Sequence, residues 1–299
     1  MSKPLVSIVT PSYNQGEFLE DTILSVKNQS YPEVEHLVID GGSDDNTIDI
    51  LEKYEGEYQL EWVSEPDEGQ SDAINKGFDK ANGDIVAWLN SDDVYFDVDV
   101  LSRVVRYFDK YSEDVLYGDL VHIDENSTIQ AVDPHPRFDK SKLFYRILIG
   151  QPATFFRQDV IKNNSIRTDL HYCMDYEYWL RISQKHTFRH ISDLFSGFRV
   201  YPDQKSQNKH DTSVEFKQIA SNYNYPEQNS LAVAADNAYT ELHRWTRSLH
   251  LIRELHHDPP QLAFDGSVGS KKSMLLNIFP DIDDMIKVWR RFRTDGQSG

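Results

Sequence analysis

Apolar and polar positions follow two alternating periods along the first hundred residues. Val6-Ser7-Ile8-Val9 is a short β-branched run closed by Pro11, and Val34 to Ile39 is a second, closed by Gly41-Gly42. Leu60 to Val63 and Ile85 to Leu89 complete four predicted strands. Between them the spacing turns helical over 16–29, 47–54 and 71–81, the last stopped by Asn82-Gly83. Repetition of strand and helix at this spacing predicts a mostly parallel sheet with helices on both faces.

Beyond residue 98 the pattern loosens. It predicts a helix over 98–111, a strand over 115–121, and a strand over 128–132 returning antiparallel to it. Further strands are predicted at 153–156, 188–191 and 198–201, and a helix at 175–184 with Tyr178, Trp179 and Ile182 facing inward. After about Asp203 the polar stretch Gln204 to His210 gives way to helical spacing over 213–223 and 231–256. A last amphipathic segment runs from Lys271 to Arg293 and is interrupted at Pro280. The reading is an α/β domain over 1–203, whose first half ends near 95, followed by a helical extension over 204–299.

Charge sharpens this division. The 299 residues carry a net charge of −18. Residues 1–200 hold 36 acidic and 19 basic side chains, whereas 201–299 hold 13 and 12. So acidic a surface argues against a nucleic-acid partner. Cys173 is the single cysteine, so no intrachain disulfide forms and a reducing, cytoplasmic setting is expected. No signal-peptide pattern or window of about 18 apolar residues is present in the sequence.

In open α/β sheets ligands bind beyond the carboxyl ends of the strands. Those positions carry Thr10-Pro11-Ser12-Tyr13-Asn14, Asp40-Gly41-Gly42-Ser43, Glu65 to Asp72, and Asn90-Ser91-Asp92-Asp93. Any one such loop is ordinary turn chemistry; four at one edge point to a polar ligand. The adjacent carboxylates Asp92 and Asp93 repel each other unless a cation or hydroxyl donors intervene. A small set of hard oxygen ligands suits Mg²⁺ or Mn²⁺ completed by water and phosphate. Neither a Walker-type loop nor a GxGxxG follows the first strand, which removes the main support for nucleotide-triphosphatase and dinucleotide-dehydrogenase readings.

These segments resemble glycosyltransferase family 2. The resemblance is carried by Pro11-Ser12-Tyr13-Asn14, Gln29-Ser30-Tyr31-Pro32, Val38 to Ser43, Glu65-Pro66-Asp67 with Gly69 to Gly77, and Ala87 to Asp93. It continues through Gln151 to Phe156 and Met174 to Arg181, so it spans roughly residues 5 to 201. It implies the GT-A fold, with a nucleotide-sugar half over about 1–95 and an acceptor half over about 96–203. It also implies inverting, metal-dependent transfer of a sugar from a nucleotide donor, UDP being the expected nucleotide, to a saccharide or lipid-linked saccharide. Surface polysaccharide or glycoconjugate synthesis is the implied setting.

By the same resemblance Pro11, Ser12 and Tyr13 line the base and ribose, and Asp40 accepts a hydrogen bond from the base. Gly69, Asp72, Ser91 and Asp92 lie along the ribose and diphosphate. Asp93, with Asp92, is expected to hold Mn²⁺ or Mg²⁺. Asp175, on the loop leading into a helix, matches the general base, and Gln151 and Glu177 lie toward the acceptor. Arg199 and Tyr201 stand where the family approaches the diphosphate, and Tyr201 replaces a histidine common there. Two further departures are Gly41, where many members have a second Asp, and Asn90, where many have Asp.

Two other readings compete. A sugar-phosphate nucleotidyltransferase also uses carboxylate-held Mg²⁺, but it favours a basic Gly-rich loop, and Thr10 to Gly16 has no Lys or Arg. A catalytically silent homologue would bind a saccharide or a partner without transfer. The basic amphipathic segment 271–293 is expected to dock on the catalytic domain or on a second copy of the chain. Peripheral contact with the inner face of a membrane is the alternative.

Overall fold

The computed structural model describes residues 3–223 and 230–278. The first strand, β1 (Val6–Ser12), leads into α1 (Gly16–Lys27), β2 (Val34–Asp40), α2 (Thr47–Tyr54), β3 (Leu60–Ser64), α3 (Gln70–Lys80) and β4 (Ile85–Trp88). Next come β5 (Val94–Tyr95), α4 (Val100–Lys110), β6 (Val115–Ile123), β7 (Thr128–Asp133), β8 (Thr154–Arg157), α5 (Gln158–Lys162), α6 (Met174–Ile182) and β9 (Phe188–Arg199). The chain continues through α7 (Lys209–Asn222), α8 (Ser230–His257), β10 (Ser267–Val268) and α9 (Lys271–Ile278). Among the described residues no helix is long and apolar enough to cross a membrane.

One sheet runs β10-β7-β6-β8-β4-β1-β2-β3, with β9 beside β6 and β5 beside β9. The half built from β3, β2, β1 and β4 is parallel throughout. Beyond it β8 runs antiparallel to both β4 and β6, and β7 runs antiparallel to β6, as the 128–132 reading predicts. The chain steps outward from β1 to β2 and β3, then returns to place β4 on the other side of β1. That reversal opens a crevice at the carboxyl ends of β1 and β4, where open α/β sheets take their ligands.

Local chemistry explains where the elements depart from the sequence pattern. Strand β1 does not stop at Pro11 but continues to Ser12. The Gly41 N–H donates to the Ser12 carbonyl at 2.8 Å, so alternation turns the Pro11 nitrogen toward β4. Pairing with β4 ends at Val9 opposite Trp88, so the missing N–H leaves no ladder bond unmade. The strands expected at 188–191 and 198–201 are one strand, β9, parallel to β6. Polar Ser192-Asp193 and Gly197 look like breaks in sequence; the register shifts around Asp119 absorb them, and Asp193 is bound by Arg103 and Tyr107. Tyr201 lies beyond that strand. Helix α7 begins at Lys209, four residues earlier than its spacing predicts, because the Asn208 side chain accepts from the Asp211 N–H.

Two apolar layers cover the sheet. One gathers Ile8, Ala87, Leu116, Phe155 and Phe195 with α4 and with Ile252 and Leu255 of α8. The other gathers Val9, Ile74, Val86, Trp88 and Phe156 with Tyr178 and Trp179 of α6. There Trp88 lies stacked on Trp179, with centroids 5.6 Å apart. The tail beyond residue 203 is not helical throughout: Ser267–Val268 adds a parallel strand to β7, and Leu262 bridges Asp97. Of the expected basic amphipathic segment, residues 279–293 lie outside the described residues.

Candidate active site

The nucleotide end of the crevice is stitched by short polar loops. Pro11 and Ser12 are buried, and Tyr13 projects with 62% of its surface exposed. Asn14 adopts a left-handed backbone, φ 51°, which Asn tolerates. Its N–H donates to Ser43 Oγ at 2.7 Å and its side chain accepts from the Asp44 N–H. The Ser12 hydroxyl is buried with no hydrogen-bond partner among the described residues, as fits a group facing a ligand.

Asp40 is fully buried, and its carboxylate is hydrogen-bonded. It accepts from the N–H groups of Gly42 and Ser43 and from the hydroxyls of Ser43 and Ser64. Three of these donors fill Oδ2, whereas Oδ1 takes only the Ser43 hydroxyl and keeps acceptor capacity for the expected base contact. Asp67 offers a second acceptor. The Gly69 N–H holds its Oδ1 at 2.8 Å, and the carboxylate lies over Gly41 so closely that a Cβ there would stand 2.7 Å from Oδ2. Any side chain at 41 would displace it. Gly69 itself sits at φ 111°, a backbone conformation that glycine alone adopts readily. Asp72, in the first turn of α3, accepts from the Glu68 N–H and pairs with Lys76.

The loop after β4 carries the paired carboxylates, and they differ in setting. Asp93 is fully buried, accepting from the Arg199 N–H at 3.0 Å and from Asn90 Nδ2 at 3.3 Å. Burial and the neighbouring Asp92 charge push its carboxyl well above the usual range. Asp92 is partly exposed, and its Oδ2 accepts from the Tyr201 hydroxyl at 3.0 Å. The carboxylate open to the crevice is therefore Asp92, and Asp93 is the buried member that anchors the turn. Ser91 lies beneath the surface with its carbonyl bonded to Thr22.

Arg199 occupies a different place from the expected one. It is fully buried, and its guanidinium is spent on the carbonyls of Asp92 and Asp124, on Ser127 Oγ and on the Asp21 carboxylate, each at 2.9 Å. It supports the Asp92 turn from below and presents no N–H to the crevice. Glu177 is displaced from its expected role in the same way. It is buried on α6, paired with Arg181 and bonded by the Tyr223 hydroxyl at 2.7 Å, two residues round the helix from Asp175.

Asp175 lies within the first turn of α6 rather than on the preceding loop. Burial raises its carboxyl pKa, while its own turn and the Lys205 charge pull it back. A chain of hydrogen-bonded side chains runs from Asp93 to Lys205, whose charge acts on Asp175. Asn90 Nδ2 donates to Gln151 Oε1 at 3.0 Å, Gln70 Nε2 donates to Asn90 Oδ1 at 2.9 Å, and Lys205 Nζ donates to Gln70 Oε1 at 3.3 Å. The Ser71 hydroxyl meets Met174 Sδ at 2.8 Å, which closes α3 onto α6. Asp93, Gln151 and Lys205 are thus tied together through Asn90 and Gln70, and the Lys205 charge acts on Asp175. Asp67, Gln70, Asn90 and Lys205 had no assigned role in the sequence reading. The first three stand in strand-end loops already marked as polar, whereas Lys205 falls in a stretch with no distinguishing pattern.

Among the described residues no three His, Cys, Asp or Glu side chains gather as a metal-binding group. Cys173 is buried, with its thiol pushed up to about 12, the setting of an inert packing residue.

The sequence pattern of glycosyl transferase family 2 matches residues 7–174, more than half of the chain. TuaG of Bacillus subtilis, named for teichuronic acid biosynthesis, is 45% identical over 93 residues, which are 30% of this chain and 37% of TuaG. The chain thus spans little more than a third of that relative. Among solved structures, Staphylococcus aureus TarS (residues 1–349) in complex with UDP-GlcNAc superposes with a TM-score of 0.60 at 18% identity, covering 72% of this chain and 65% of that one. The mannosyltransferase PcManGT of Pyrobaculum calidifontis, in complex with GDP-Man and Mn²⁺, gives 0.59 at 16% identity over 98% of this chain and 84% of its own. These likenesses establish the GT-A fold. The chain belongs to glycosyl transferase family 2.

Proposed function

We propose that the chain is an inverting, metal-assisted glycosyltransferase that moves a sugar from a UDP-sugar to a hydroxyl of a saccharide acceptor. The observation that carries this reading is the hydrogen-bonded path from Asp93, beside the partly exposed Asp92, through Asn90 and Gln70 to Lys205, whose charge acts on the partly exposed Asp175. TuaG's name and the UDP-GlcNAc in TarS support an acceptor from surface polysaccharide or glycoconjugate synthesis and a uridine donor.

Asp175 acts as the base. Its carboxylate takes the acceptor hydroxyl's proton as that oxygen bonds to the anomeric carbon, and the bond to the diphosphate oxygen breaks with its electron pair. Attack opposite the leaving group inverts the carbon. Gln151 and Asn90, tied to each other and to the Trp88 carbonyl, line the side from which the acceptor arrives. Asp92 fits a hard divalent cation: one oxygen is fixed by Tyr201, and donor phosphates and water would complete the shell. When bound, Mn²⁺ or Mg²⁺ would offset the charge on the departing diphosphate. Asp40 Oδ1 and Asp67 Oδ2, which lies over Gly41, are the carboxylate oxygens that would accept the imino N–H of uracil.

Thermal stabilisation by UDP, CDP, GDP and dTDP, with and without Mn²⁺, tests the reading alongside release of UDP from UDP-sugars. UDP with metal should give the largest shift. Cytosine lacks the imino N–H, so Asp40→Asn or Asp67→Asn should weaken the preference for UDP over CDP. UDP binding without transfer to any saccharide acceptor would favour a silent homologue, and release of pyrophosphate from a nucleoside triphosphate would favour a nucleotidyltransferase.

A further inference from the structure

Three consecutive backbone N–H groups precede the helix that carries Asp175, and all three end on one carboxylate. The His171 N–H donates to Glu215 Oε1 at 2.9 Å, and those of Tyr172 and Cys173 to Oε2 at 2.6 Å each. Residues just ahead of a helix carry donors that the helix cannot satisfy, and a carboxylate is the strongest common acceptor for them. Here it comes from α7, beyond the stretch that matches the family pattern. Sequence spacing could not reveal it, because the partners are more than forty residues apart.

The same helix reinforces the clip. Cys173 Sγ contacts the Thr212 carbonyl, and Asn208 Nδ2 donates to the Tyr172 hydroxyl at 3.0 Å. Phe216 stacks on Tyr176, with centroids 4.2 Å apart. Residues 171–173 have no regular secondary structure of their own, so without Glu215 little fixes their dihedrals. Asp175 follows two residues later. A small displacement of a base from the hydroxyl it serves is expensive, since a misplacement of about 1 Å can slow a reaction about 100-fold.

We propose that Glu215 is a positioning residue: it clamps the 171–173 backbone and so holds Asp175 at the acceptor hydroxyl, which makes α7 part of the catalytic unit. This rests on the assignment of Asp175 as the base, and one arm of its test does not.

Amide hydrogen exchange on the full-length chain, without substrate, reads the clamp directly. Glu215→Ala should speed exchange at His171, Tyr172 and Cys173 by about tenfold or more while the sheet amides keep their protection. Glu215→Gln, which keeps a neutral acceptor and the side-chain shape, should give a smaller increase and covers the case in which the alanine variant folds poorly. In the transfer assay Glu215→Ala should lower kcat by about 10- to 100-fold with the donor KM little changed. In an Asp175→Asn background it should lower kcat no further, because the base it serves is gone. Unchanged exchange at the three amides in both variants would overturn the clamp. An equal kcat loss with and without Asp175 would overturn its action through the base. Faster exchange in a chain that transfers no sugar would leave the clamp standing and strike the transferase reading alone.

Discussion

Replacing Arg199 with methionine keeps most of the apolar stem and deletes the guanidinium. The side chain is fully buried, and its loss leaves the Asp92 carbonyl and Ser127 Oγ without that donor, while the Asp124 carbonyl and the Asp21 carboxylate keep only Ser127. The cation also sits 4.7 Å from the centre of the Phe18 ring. Each buried acceptor left unmade costs about 1–3 kcal/mol, but water entering the emptied space restores part of that for the carbonyls. The net loss should match a broken buried ion pair, about 3–5 kcal/mol. At about 2–4 °C per kcal/mol for a domain of this size, the melting temperature should fall by about 6–20 °C. Differential scanning calorimetry of wild type and Arg199→Met measures it. An unshifted melting transition combined with weakened UDP binding would refute the reasoning, because it would place Arg199 on the diphosphate.

Tyr201→Phe removes the hydroxyl that fixes Asp92 Oδ2, and outer-shell losses of this kind weaken metal binding about 10- to 100-fold. A Mn²⁺ titration of activity should show that shift, and an unchanged titration would put Tyr201 outside the metal's surroundings. Asp92→Asn should abolish the metal-dependent part of UDP-induced stabilisation while the metal-free protein melts near wild type. Transfer should fall as pH drops through the raised pKa of Asp175, since only the carboxylate takes a proton. Lys205 and Glu215 are the charged groups that act on Asp175, with opposite signs. Lys205→Met should therefore move the acid limb of the kcat/KM profile to higher pH, and a limb that stays put would remove Lys205 from the base's surroundings.

The parallel half of the sheet was legible because β-branched runs and helical spacing alternate without interruption through residue 89, and the loops at its strand ends are polar in every case. The acceptor half was less so. The bulged pairing of β6 with β9 hides a twelve-residue strand behind polar and glycine positions, and no periodicity records a register shift. Within the site, residue type marked the right loops but could not say which carboxylate faces out. Asp93 looks like a ligand in sequence, yet the Arg199 N–H and the Asn90 amide already claim it. Asp92 and Asp67 keep an oxygen free because their neighbours in space, not in sequence, leave it so. Arg199 and Glu177 read as functional charges for the same reason, and burial among partners drawn from distant segments turns both into supports. The contribution of α7 was invisible because it depends on docking between segments.

The most direct measurement is a side-by-side assay of donor binding and sugar transfer in Asp175→Asn. The account predicts metal-dependent UDP-sugar binding close to wild type and transfer reduced by about 10²- to 10⁴-fold, the usual contribution of a positioned base. Transfer at the wild-type rate with binding intact would contradict it.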